Sequence, residues 1–471
     1  MEPGHTKFGG GAAESVLHPV FALIMLLALL FIFVLPRRHV IIPLLLAAFF
    51  IPLGQVVVLG GLHFSVLRIL ILCGCARFIR PILSSKRAFV GGLNSIDVWV
   101  ALYAVFSLLT FSLLYLDTQA LIKSLGVFVE TFGGYLLLRY LIRDMRDIRL
   151  TINILVLIAA VMSIGMLNER LTRHNVFWSF GGGSRLDGSS MSISDVRDGQ
   201  VRAQGAFVIY LLAGAFGASL MPLSVWLWKD GSRATALVSL VSSTVMTIAA
   251  ASSTSTMAYA AGIVGLCFWP FRKRMRLIRW LCLAAIVSLH LAMKAPVWHL
   301  ISRLDLTGSS SSYHRYLLVD NFIRRFGDWW FLGAKDTNSW GFGMWDTCNA
   351  YVSAGTGGGL ATFIAFVAII SRGFGKLGKA RKLVQADKSM EWLVWCLGAA
   401  MFDHAVGFFG VVYDAQMQMA WFAFLGIISV VAYAAKKPAG LSVTAVPAAA
   451  IDSEPAAFEG IASYRDIEVR S

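Results

Sequence analysis

Long apolar runs broken by short polar connectors recur from residue 17 to residue 434. Residues 17–35 alone are long and apolar enough to cross a bilayer, which takes about 20 residues of helix. The same pattern predicts spans at 40–58, 64–79, 96–116, 120–142 and 150–167, then at 205–228, 234–251, 257–271 and 277–293. Three more follow at 347–370, 391–411 and 416–434, giving about thirteen in all. The expected fold is all-α: a polytopic transmembrane helical bundle of about 12–13 spans with two long extracytoplasmic loops, 168–204 and 294–346. Residues 1–16 form a short leading segment, 17–434 the bundle, and 435–471, rich in Ala, Pro, Ser and Glu, a disordered cytoplasmic tail. No fixed-period repeat occurs, and no glycine-rich nucleotide loop follows a strand, which speaks against an ATP-driven pump.

Composition agrees: 57% of residues are apolar and only 14% charged. A soluble helical core of this composition would need many helices apolar all round. The net charge of +15 matters less than its placement. Lys and Arg cluster at Arg37-Arg38, Arg77 to Arg87, Arg139 to Arg149, Lys229 and Arg233, Arg272 to Arg279, Arg372 to Lys388, and Lys436-Lys437. The alternate short connectors, near Gly60-Gly61, Asp117, 252–256 and 412–415, carry none. That asymmetry places the basic set in the cytoplasm and both long loops outside, with the N-terminus out and the C-terminus in. A missed or split span, for which 64–79 is the weakest, would reverse the N-terminus. The basic runs therefore call for no nucleic acid partner. Five of six cysteines fall well inside apolar spans, Cys348 sitting only at the edge of one, and no zinc-type spacing with histidine occurs. The first span lacks the flanks of a cleaved signal peptide and reads as a retained anchor.

Ionisable residues inside spans face a partner or a wet cavity. Arg68, Lys123, Glu130 and the Asp403-His404 pair are such residues. Lys123 and Glu130 stand about two helical turns apart, on one face, where a structural ion-pair network is expected. Asp403-His404 sits halfway along its span and is equally compatible with a proton relay.

The long polar segments carry the candidate chemistry. The first, after the Gly/Ser-rich 181–192, ends in Arg202-Ala-Gln-Gly-Ala-Phe207. Arg202 stands at the mouth of the next span, either snorkelling to water or reaching a bound head group. The second holds His314 and Arg315 after a serine run, and Asp320 with Arg324 at helical pairing distance. Arg315 has no acid within four residues, so its charge is the one available to a ligand. Trp329, Trp330, Trp340 and Trp345 form an interfacial belt or offer faces for sugar rings. These parts suit glycosyl transfer from a lipid diphosphate: arginine forks meet the charge developing on the departing diphosphate, in a site shielded from water. The acceptor hydroxyl needs a proton sink, for which Asp346, His314 and Cys348 are candidates. A divalent metal held by Asp336 and Asp346 is the alternative to the arginines.

The order of motifs resembles the O-antigen ligase and O-antigen/exopolysaccharide polymerase superfamily. The resemblance rests on Arg202-Ala-Gln-Gly-Ala-Phe207 opening a middle span, on Ser309 to Arg315, on Phe331-Leu-Gly333, and on Asp346-Thr-Cys-Asn349-Ala-Tyr351 followed by the glycines of 355–359. It covers roughly residues 205–366, the remaining spans matching by topology only. It implies a metal-independent, cofactor-free, inverting transferase in the bacterial inner membrane, acting on undecaprenyl-diphosphate-linked oligosaccharide. It places two arginines, Arg202 and Arg315, at the diphosphate and a histidine near the acceptor. In this chain Cys348 precedes Asn349 where the family has histidine, so Asp346, or direct proton loss to the diphosphate, is preferred as base over Cys348. His314, Arg324, Trp329, Trp330 and Tyr351 are expected to line the substrate site. Membrane lipids, a chain-length regulator and a flippase are the expected partners. The competing expectations are a transporter or flippase of an anionic lipid-linked glycan, and a catalytically inactive partner in polysaccharide assembly.

Overall fold

A computed structural model describes residues 15–52, 54–84, 88–180, 196–197, 199–303 and 311–436. The expected leading segment through residue 14, the excursion at 181–192, residues 304–310 and the tail from 437 lie outside the described residues. The chain is an all-α, multi-pass membrane protein, and among the described residues seven helices are long and apolar enough to cross a membrane.

The helices follow one another through short connectors, apart from two long loops. First come α1 (Pro19–Val34), α2 (Ile41–Phe50), α3 (Val66–Ser84) and α4 (Ser95–Tyr115). Next, α5 (Thr118–Phe128) runs through a π turn, Val129–Gly133, into α6 (Gly134–Leu141), and α7 (Met145–Thr172) returns. After the first long loop come α8 (Tyr210–Lys229), α9 (Arg233–Ala249), α10 (Ser253–Cys267) and α11 (Met275–Ala292). The second long loop contains α12 (Ser311–Arg324) and α13 (Phe326–Trp329). The chain closes with α14 (Ala350–Leu383), α15 (Lys388–Gly407) and α16 (Ala415–Ala434).

Two departures from the sequence reading stand out. The span expected at 40–58 is helical only through Phe50, about 15 Å of rise. Pro52 ends it, and the β-branched Val56-Val57-Val58 then pairs as β1 (Val56–Leu59) with β2 (Leu62–Ser65) around Gly60-Gly61. Residues 205–209 are likewise not helical; α8 begins at Tyr210. Small side chains let α8 and α9 pack closely, Ser243 Oγ donating to the carbonyl of Gly217 at 2.6 Å. By contrast, α11 buries none of its residues, so its apolar surface faces the lipid.

Ties between connectors sort the bundle into two ends. At one end Arg37 and Arg38 both pair with Asp147, at 3.2 and 3.4 Å. There Arg149 also pairs with Asp230 at 2.9 Å, and Glu391 takes Arg272 and Lys388 at 3.3 and 3.1 Å. This is the Lys/Arg-rich end that the sequence assigns to the cytoplasm. Arg139 corrects the connector reading: it is 1% exposed inside α6 and pairs with Asp97 at 3.2 Å. Glu130 also differs from expectation. It pairs with Arg68 of α3 at 3.0 Å, while Lys123 lies over the Phe111 ring of α4, so the two side chains are taken up by different neighbouring helices.

Candidate functional site

At the opposite end, described residues of both long loops attach to the α9–α10 junction, residues 249–254. The first loop is held from beneath by Glu169, fully buried near the end of α7. Its Oε2 accepts the backbone N–H groups of Gln204 and Gly205 at 3.0 and 2.9 Å. Gln416 of α16 donates to the carbonyl of Ala206 at 2.8 Å. Ala203 N–H then donates to the carbonyl of Ala249 at 3.0 Å, which sets the neighbouring Arg202 beside the turn. Arg202 is buried, 9% exposed, with its guanidinium 4.4 Å from the centre of the Tyr210 ring and Nη1 donating to the Tyr210 hydroxyl. It is therefore not an interfacial residue snorkelling to water. Arg170 joins from α7, donating to the carbonyl of Ile248 at 2.6 Å.

Arg315 of the second loop reaches the same stretch. Arg315 Nη2 donates to Thr254 Oγ1 at 2.7 Å, and Nη1 to Ser253 Oγ at 3.2 Å. Its Nε is buried with no hydrogen-bond partner among the described residues. Between the two attachments Ala251 adopts a left-handed φ of 43°, a strained conformation for a residue with a Cβ. Segments more than a hundred residues apart in sequence, one next to Arg202 and one carrying Arg315, thus attach to one short stretch of chain.

Beside Arg315 stand the proton-transfer candidates. The ligating atoms of His314, Asp346 and Cys348 all lie within 4.8 Å of one another. His314 Nε2 is 3.2 Å from the backbone carbonyl of Asp346. Burial pushes the Cys348 thiol up to about 11; Asp346 adds to the shift, and the Arg315 guanidinium opposes it. The imidazole, carboxylate and thiol also match the donor set of a thiophilic divalent ion. Asp336, paired with Asp346 in the sequence reading, takes no part in this group. It accepts instead from the N–H of Asn338 at 3.1 Å.

The remaining candidates split between bracing and exposure. Asn349 is buried as the N-cap of α14, its Oδ1 accepting from Tyr351 N at 2.9 Å. Tyr351 donates its hydroxyl to the carbonyl of Ala405 at 2.9 Å and packs among Phe366, Phe408 and Phe409. Trp329 corrects the expectation of a sugar platform: it is buried and stacked 3.9 Å from Phe322, so that face is covered. Arg324 is tied to Asp320 at 2.8 Å, as its spacing predicts. Trp330 and Trp345 are exposed and keep free ring surface.

The Leu-Gly segment has a mechanical role. At Gly358-Gly359 the helix α14 breaks, and the irregular 330–334 segment wedges against the break. Ala334 N–H donates to the carbonyl of Thr356, and Leu360 N–H to the carbonyl of Trp330, both at 2.7 Å. Gly333 and Gly359 both have positive φ, and a Cβ on either would strike the carbonyl oxygen facing it, of Thr356 and Phe331 respectively.

Sequence reasoning missed Ser253, Thr254, Tyr210 and Glu169. A Ser/Thr-rich, charge-free connector opposite two arginine-bearing loops was the available signal for Ser253 and Thr254. Among known proteins, no family model and no curated relative matches the chain.

Proposed function

We propose that the protein is an extracytoplasmic-face glycosyltransferase that polymerises or ligates oligosaccharide carried on undecaprenyl diphosphate, in the bacterial inner membrane. The observation that carries this reading is that the backbone next to Arg202 and the Arg315 side chain attach to the same 249–254 stretch, with His314 and Asp346 beside Arg315.

In the proposed reaction an acceptor hydroxyl attacks C1 of the donor sugar from the face opposite the diphosphate. The new C1–O bond forms as the bond from C1 to the diphosphate oxygen breaks, and the electron pair leaves with the lipid diphosphate. Arg315 and Arg202 receive that charge. A guanidinium remains protonated throughout and matches phosphate oxygens in pairs, so its attraction grows as the bond breaks. The hydroxyl proton passes to the Asp346 carboxylate or to His314. Ser253 and Thr254 fix the direction of the Arg315 fork. Exposed Trp345 and Trp330 give the sugar rings a face to stack on. A polymerase is favoured over a ligase, since no feature here selects a lipid A acceptor.

The test is turnover by purified protein given a defined undecaprenyl-diphosphate oligosaccharide. Longer glycan, formed with release of undecaprenyl diphosphate, supports the reading; intact donor after prolonged incubation, with and without an added acceptor glycan, overturns it.

One observation favours a transporter of such a lipid. Both carboxylate oxygens of Asp403 are buried without a hydrogen-bond partner among the described residues, next to His404, whose Nδ1 is 2.9 Å from the Tyr413 hydroxyl. Loss of lipid-linked glycan movement across vesicles in Asp403→Asn, with transfer chemistry unchanged, would support it.

A further inference from the structure

At the Lys/Arg-rich end, α4, α14 and α16 enclose a cavity of about 560 Å³. Its walls change character along α14. Phe363, Ile364 and Val367 line the part nearer the bundle centre, and Arg372, Lys376 and Lys379 the part nearer the end, joined by Lys436 after α16. Arg372, Lys376 and Lys379 fall on one helical face, and about 13 Å of helix rise separates Val367 from Lys376. Among the described residues no acid lines the cavity. None of the four cations makes an ion pair among the described residues. Asp97 is the acid within electrostatic range of Lys376, and it is already engaged by Arg139 and Tyr135. At Gly375, in the middle of the charged part, a Cβ would meet nothing within 4 Å.

Four mutually repelling cations around open space, continuous with an apolar wall at membrane depth, are complementary to a lipid bearing more than one negative charge. We propose that this cavity binds an anionic phospholipid with two phosphates, of the cardiolipin type. The head group would lie among Arg372, Lys376, Lys379 and Lys436, with acyl chain along Phe363, Ile364 and Val367. Its position at the end of the bundle away from Arg202 and Arg315 makes it separate from the proposed transfer site.

The experiment is native mass spectrometry of the full chain, released from detergent and titrated with tetraoleoyl cardiolipin, dioleoyl phosphatidylglycerol or dioleoyl phosphatidylcholine. Cardiolipin is expected to bind at least tenfold more tightly than phosphatidylcholine, with phosphatidylglycerol between them. Lys376→Gln/Lys379→Gln should abolish that preference, and Gly375→Leu, which fills the open space, should weaken cardiolipin binding at least fivefold. Both variants should keep the wild-type elution volume and Tm in detergent without added lipid. Equal binding of the three lipids, or an unchanged preference in both variants, would overturn the proposal. A chain ending at Lys436 separates the lipid from the acid-containing tail as occupant. Binding seen only after that truncation would show the tail fills the cavity, and would also overturn it.

Discussion

Arg315 reaches from α12 to the first turn of α10, where its Nη2 donates to Thr254 Oγ1 at 2.7 Å. The contact fixes the direction of a guanidinium whose Nε is buried and without a partner among the described residues. Thr254→Val keeps the shape of the side chain and removes the acceptor. The expected result is a kcat lowered about tenfold with KM changed little, since a lost charge-assisted hydrogen bond is worth roughly 1.5–3 kcal/mol. Steady-state transfer kinetics check this, and Thr254→Ser should restore most of the rate.

Glu169 holds the turn that carries Arg202, accepting the N–H groups of Gln204 and Gly205 from a fully buried position. Glu169→Ala orphans both donors, which costs about 1–3 kcal/mol for each buried group left unmade. Thermal unfolding in detergent should show a lowered Tm, and transfer should fall with it. Glu169→Gln, which keeps one acceptor oxygen, should recover part of both.

Gly333 and Gly359 lock the 330–334 segment into the break in α14. Alanine at either position places a Cβ against a carbonyl oxygen at positive φ. Each variant should lower Tm and loosen the second loop, seen as faster hydrogen exchange across 329–346. Unchanged exchange would mean that the wedge does not order the loop.

Cys348 is pushed up to about 11 chiefly by burial. Because this acid's pKa is raised, the thiol stays neutral at and below neutral pH, and the thiolate forms only as pH rises toward that value. Maleimide labelling of Cys348, measured with the other five cysteines replaced by serine, should be slow at pH 8 and accelerate steeply above pH 10. Cys348→Ser should leave transfer within about twofold of wild type.

His314, Asp346 and Cys348 make the metal question testable. With the arginines carrying the diphosphate charge, EDTA should leave turnover unchanged. Loss of turnover with EDTA, restored by zinc, would move the chemistry to a metal held by these three residues.

The helices were legible because apolar runs of bilayer length leave few other structures open to the backbone. Alternating basic connectors likewise gave the sorting of the two ends, seen here in Arg149 reaching Asp230 and Arg272 reaching Glu391. The 56–65 hairpin was not legible: Val56-Val57-Val58 extends an apolar run, and hydropathy does not register Pro52 and Gly54 as a break. At the site, Arg324 with Asp320 followed from local spacing. Arg202 beside Tyr210 did not, because it depends on the non-helical turn at 205–209 folding the start of α8 back onto Arg202, and Arg315 beside Thr254 did not, because it depends on how α10 is brought against the second loop. Trp329 was misread because burial under Phe322 is tertiary, whereas an aromatic-rich loop looks the same with its rings covered or free.

In the proposed reaction Arg202 and Arg315 act together on one departing diphosphate. Single-turnover release of undecaprenyl diphosphate by Arg202→Ala, Arg315→Ala and the double variant tests it most directly. Each single change should slow release about 10²-fold or more, and the double variant should be little slower than the worse single, as for residues that act as a unit. Wild-type release rates in both single variants, or fully multiplicative losses in the double variant, would contradict it.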